Sequence, residues 1–130
     1  MTKEEKVAYW LDIAEYDMET AVAMLQTGRW LYVGFMCHQV IEKTLKAYWT
    51  ATQEQDPPYV HNHKQLAAGT GLYNLMDENQ KDFLATISSF NIQARYPEYK
   101  EQLLKVLNKN TCSDIIKQTQ QLQTWIRQKL

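Results

Sequence analysis

Glycine and proline are scarce in this chain, four and three in 130 residues, which leaves few breaks in regular backbone, as a helical bundle requires. Alternating apolar and polar residues never run long enough for strands, and internal repeats, low-complexity tracts and glycine-rich phosphate loops are missing too. No apolar run approaches the ~20 residues of a membrane span. The opening MTKEEK lacks the apolar segment of a signal peptide, so a cytoplasmic location and no membrane partner are expected. Net charge is nearly balanced at -1, so attraction to phosphate backbones is not built into the whole molecule and any nucleic-acid contact has to be a local patch. Only two cysteines occur, Cys37 and Cys112, both at apolar-periodic positions, which reads as free core thiols rather than a disulfide.

What is present is an ordinary globular composition, 45% hydrophobic and 22% charged, in a length that fits one domain over residues 1–130. The chain is organised around RWLYVGFMCHQVIEKTLKAYWT, from Arg29 to Thr52. At the helical period Val33, Cys37, Val40, Ile41, Thr44, Leu45 and Tyr48 share one broad core face. His38, Gln39, Glu42, Lys43 and Lys46 share another, because residues three and four apart are neighbours on a helix. One helix thus supplies both core and a polar ridge.

Before it, Thr2 and Glu5 have capping-box spacing, and Val7, Leu11, Ala14, Met18, Ala21 and Leu25 carry the stripe of a first helix that Gly28 ends. The short turn predicts antiparallel packing of the first two helices. After Thr52 the polar QEQDPPYVHNH reads as a loop. A short helix is expected from about Asn62 to about Ala68, and another from the Asp77/Gln80 capping pattern through Phe83, Leu84, Ile87 and Phe90. Pro97 marks a corner, followed by a helical stretch over Glu98 to Leu107. A last helix is expected to start near Thr111, with Asp114 in capping position, and to run to the end. The class is all-α, an up-and-down bundle of about five helices.

At HQVIEKTLKAY, PPYVHNHKQLA and ARYPEY the chain resembles the HEPN family of small helical bundles over nearly its whole length. The residues that carry the resemblance are Gln39, Glu42, Lys43, Lys46 and Ala47 on the second helix, His61 or His63 with Leu66 after the proline loop, and Arg95, Tyr96, Pro97 and Glu98 at the corner. His63 stands where the family has a leucine, which leaves open whether His61 or His63 is the equivalent histidine. The resemblance implies a five-helix bundle that dimerises and binds nucleotide or RNA. It also implies a minimal nucleotidyltransferase as partner, in a toxin–antitoxin or defence-like pair, with no cofactor. Ribonuclease members of the family have a histidine four to six residues after an arginine. Here Arg95 is followed by YPEYKEQ, so the resemblance implies binding without cutting. The alternatives are a metal-independent ribonuclease with a histidine supplied from elsewhere in the bundle, such as His61 or His63, and a protein-interaction scaffold.

Each candidate has a structural reading beside the functional one. Arg95 offers a planar fork of donors that suits a phosphate, or equally a clamp on Glu42. Lys43 and Lys46 suit phosphate too, although a lysine ridge is commonly a solvated face, and Glu42 with Lys46 is also an ordinary helix pair. His61 and His63 suit a general base or a cleft lining, and without further ligand residues they do not make a metal site. His38 reads as a packing or interface residue as readily as a functional one. Tyrosines and tryptophans at helical spacing are expected mainly in core or interface, with Tyr96 the one to watch for base stacking.

Overall fold

The structure, a computed structural model, describes residues 1–92 and 96–130. Among these, six α-helices and one 3-10 turn form and no strand does: α1 (Lys3–Gln26), α2 (Trp30–Thr52), α3 (His63–Gly69), the 3-10 turn Leu72–Leu75, α4 (Glu78–Ser88), α5 (Pro97–Val106) and α6 (Lys109–Arg127). The expected all-helical bundle is what the chain builds.

The helix ends follow from side chains that satisfy free backbone groups. Thr2 Oγ1 accepts from the Glu5 amide at 3.1 Å and starts α1. Gly28, at φ +74°, takes the left-handed turn that lets the Arg29 amide donate back to Met24 O at 2.8 Å, closing α1 and reversing the chain into α2. Asn62 Oδ1 accepts from the Gln65 amide at 2.9 Å and starts α3. Asp77 and Gln80 form the full reciprocal box at α4. Pro97, at the first position of α5, supplies a preset φ where no amide donor is needed. The last helix begins earlier than its expected start near Thr111. Asn108 is its cap and Thr111 returns the bond, so the reciprocal pair forms there and not at Asp114.

The α2 helix is the axis of the bundle, with α1 antiparallel to it and α6, α3, α4 and α5 against its other sides. Val33, Cys37, Val40, Ile41 and Leu45 are buried as the periodicity requires, and Leu66, Leu72, Leu84, Ile87 and Ile126 close over them. Both cysteines are free and buried. One expectation needs correcting. The polar ridge of α2 is not a surface: His38, Glu42 and Lys46 are buried alongside the apolar face, because α1 and the loop before α3 cover it. Five tyrosines, Tyr9, Tyr16, Tyr32, Tyr59 and Tyr96, are exposed. A phenol keeps its hydroxyl in water while its ring lies on the surface, so helical spacing does not bury it. None of the helices described is long and apolar enough to cross a membrane.

Candidate functional site

The site grows from Glu42, whose side chain is 1% exposed. Helical spacing puts His38 one turn before it and Lys46 one turn after it. Lys46 Nζ lies 3.1 Å from Glu42 Oε2, and Lys43 Nζ lies 3.7 Å from the same oxygen. Lys43 also donates to Gln39 Oε1 at 2.6 Å. The Lys46 ammonium sits 5.5 Å from the centre of the Trp10 ring on α1, a cation–π contact across the two helices. Burial alone would raise the Glu42 carboxyl, but the charges of Lys46 and Lys43, with hydrogen bonds from His61 and Lys46, outweigh it and hold the group below the ordinary carboxylate value. Asp17, half-buried across on α1, is raised, chiefly by burial.

The other carboxylate oxygen belongs to His61, whose Nδ1 is 2.9 Å from Glu42 Oε1. His61 is delivered by a tethered loop. The Trp49 indole donates to Gln55 O at 3.1 Å, Lys6 pairs with Asp56 at 3.1 Å, and Val60 packs on the core. A carboxylate only accepts, so Nδ1 carries the proton.

His63, two residues on, does something different. It is fully buried, and its Nε2–H donates to the His38 carbonyl at 2.9 Å. The Nδ1 lone pair then faces Ser88 Oγ at 2.9 Å, and that hydroxyl also lies 2.8 Å from Leu84 O. Burial holds His63 down to about 4, against opposing hydrogen bonds with backbone at His38 and Leu84. The His38 ring lies tilted with its centre 4.3 Å from that of His63 and is held down to about 3, by burial first and then by His63, with Glu42 opposing. Among the described residues neither nitrogen of His38 has a hydrogen-bond partner, and its Nε2 is 3.6 Å from Glu42 Oε1, too far for a bond. His38 and His63 are therefore neutral internal groups.

Beside His61 a cavity of about 530 Å³ opens to solvent, lined by His61, Asn62, Lys64, Tyr73, Lys81, Leu84, Ala85, Ser88 and Asn91. Lys64 and Lys81 approach Tyr73 at 5.3 and 4.9 Å from its ring centre. No lining residue described is acidic. The exposed Glu78, outside the lining, lies 3.8 Å from Lys81 Nζ.

The sequence candidates thus divide. Glu42, Lys43, Lys46 and His61 come together, but only His61 reaches the cavity. His63 supports the cavity wall from behind through Ser88. Tyr96 is 82% exposed and precedes α5. Arg95 lies outside the described residues, and with it the expected Glu42–Arg95 pair. Lys64, Tyr73, Lys81, Ser88 and Asn91 were not singled out from the sequence. One signal was there for Lys64, a cation in the first turn of a helix, where the helix dipole favours a carboxylate.

The described residues thus form an all-helical bundle with a charged central helix and a basic cavity at its side. The chain belongs to the HEPN domain family, whose model matches residues 7–129. The family assignment points to a nucleotide- or RNA-related role. The crystal structure of TT1696 from Thermus thermophilus is similar in fold, with a TM-score of 0.79 at 18% identity over 96% of this chain and 98% of that one. No curated protein matches the sequence.

Proposed function

We propose that this chain binds nucleotide or RNA in the cavity beside His61, as a homodimeric, noncatalytic partner of a minimal nucleotidyltransferase in a toxin–antitoxin or defence-like pair. One observation carries the binding half: a solvent-open cavity of about 530 Å³, within the usual range of ligand sites, has Lys64 and Lys81 in a lining with no carboxylate among the described residues. A phosphate brought there meets two cations over one aromatic ring. The noncatalytic half is supported by the sequence, since Tyr99, Lys100 and Glu101 occupy the positions four to six after Arg95 where ribonuclease members have histidine. The partner rests on the resemblance at Arg95, Tyr96, Pro97 and Glu98.

Titration of nucleoside diphosphates and of a short single-stranded RNA into wild type and Lys64→Ala/Lys81→Ala at low salt tests the binding. At least tenfold weaker binding by the double variant is expected, and equal affinity rejects this cavity. Lys43→Ala and Lys46→Ala serve as comparisons for a site on α2, and Arg95→Ala and Tyr96→Ala for one at the corner. Co-expression with a nucleotidyltransferase encoded beside this chain should yield a co-purifying complex. The ribonuclease reading has one observation in its favour: His61 is held by Glu42 with most of its ring in solvent. Metal-free cleavage of RNA by wild type, lost in His61→Ala, would establish that reading instead.

A further inference from the structure

The polar atoms facing the cavity are of two kinds. Lys64 and Lys81 ask for an anion. His61 and Ser88 ask for something else. With Nδ1–H of His61 committed to Glu42, the neutral form of the ring has its lone pair on Nε2, and the 66% exposed side chain presents that nitrogen outward from the buried carboxylate. Ser88 is constrained in the same sense. Its single proton lies between His63 Nδ1 and Leu84 O, so toward the cavity its oxygen can only accept. A phosphodiester, or a phosphate monoester ionised as the dianion at pH 8, has no proton to give either atom. A sugar hydroxyl beside the phosphate does.

Resting on the proposed binding function, we infer that the cavity selects a phosphorylated ribose with a free 2′-hydroxyl, which donates to His61 Nε2 while the phosphate lies against Lys64 and Lys81. His61 is the specificity-determining residue, and Glu42 is the positioning residue that fixes which of its nitrogens faces the ligand. The 2′-hydroxyl distinguishes ribose from deoxyribose, so the site discriminates between the two sugars. The same chemistry comes from a ribonucleotide or from an RNA strand.

The test measures affinities by calorimetry at pH 8 and low salt. One arm compares the four ribonucleoside 5′-diphosphates with their 2′-deoxy forms. The other compares a single-stranded RNA hexamer with DNA of the same sequence. Wild type should prefer ribose by about tenfold in at least one arm, the size of one well-made hydrogen bond. The arm that shows the preference identifies the source. His61→Phe, which keeps a ring without nitrogen at a largely exposed position, should bring the ratio to within about twofold while deoxyribose binding is retained. His61→Gln, which restores an acceptor, should recover part of it. Equal binding of both sugars by wild type overturns the selectivity and leaves the binding function standing, as does an undiminished preference in His61→Phe for the role of His61. Binding of neither sugar in either arm overturns both.

Discussion

Lys46 Nζ and Glu42 Oε2 meet at 3.1 Å inside the bundle, with their side chains 8% and 1% exposed. A charge pair this deep adds little over an apolar pair of the same shape, yet removing one partner leaves the other charge stranded. Lys46→Met should therefore destabilise the fold by about 3 kcal/mol, since Lys43 and His61 still face the carboxylate and compensate only in part. Glu42→Leu/Lys46→Met should recover most of that loss. Urea denaturation followed by circular dichroism reads both, and a single variant within about 0.5 kcal/mol of wild type, the usual span of a surface change, would mean that the pair behaves as solvated.

Two neutral histidines inside one small core make stability depend on pH. His38 and His63 are held down to about 3 and about 4, whereas in the unfolded chain each takes a proton near pH 6.5. Between those limits the unfolded state binds more protons, so stability is complete above about pH 6.5 and falls as the pH drops, by up to about 1.4 kcal/mol per pH unit for each histidine. Glu42, held low, adds its own loss only below the ordinary carboxylate range. Asp17, raised by burial, works in the opposite sense, as one group against two. Denaturation at pH 7, 6 and 5 should show the decline. His38→Phe should remove about half of the slope, leaving that of His63, with little loss at pH 7, because among the described residues the imidazole it replaces has no hydrogen bond to give up. A wild-type profile flat from pH 7 to 5 would show that these rings are already charged or solvated in the native state.

How much of this could be read in advance depended on range along the chain. Caps are local, and Thr2, Gly28, Asp77 with Gln80, and Pro97 all act where the spacing put them. At Asn108 the reciprocal partner is a threonine rather than an acid or amide, which hid the start of α6. The face of α2 that holds Glu42 read as a surface because helical periodicity records which residues are neighbours, not what later covers them. Its cover comes from Trp10 on α1 and from His61, 19 residues further on. The cavity was the least legible part. Lys64, Tyr73, Lys81 and Ser88 belong to three separate elements, and no pattern within any one of them announces the meeting.

Cys37 and Cys112 should be inert in the folded protein. Both are buried, and burial pushes the Cys37 thiol up to about 12 and raises Cys112 as well, so neither presents a thiolate at pH 8. Ellman's reagent should find no thiol in the native chain and two after guanidinium is added. Prompt reaction of one thiol without denaturant would locate a local opening at α2 or α6.

Trp49 on α2 packs directly over Gly69 at the end of α3. A Cβ on Gly69 would fall 2.2 Å from Trp49 Cζ3, and this indole is also held by its hydrogen bond to Gln55 O. The ring is rigid, so it has to tilt as a whole or α3 has to withdraw. Gly69→Ala should cost about 1–3 kcal/mol, the usual penalty for overpacking, even though alanine favours helix more than glycine does. Because α3 carries His63 and Lys64, the same displacement should weaken nucleotide binding, whereas Gly71→Ala, a strained but uncrowded position at φ +81°, should lower stability with little effect on Trp49. Tryptophan emission and melting temperature, measured on both variants, separate the two causes. A Gly69→Ala protein with wild-type melting and emission would mean that α3 does not pack on Trp49 as closely as the structure has it.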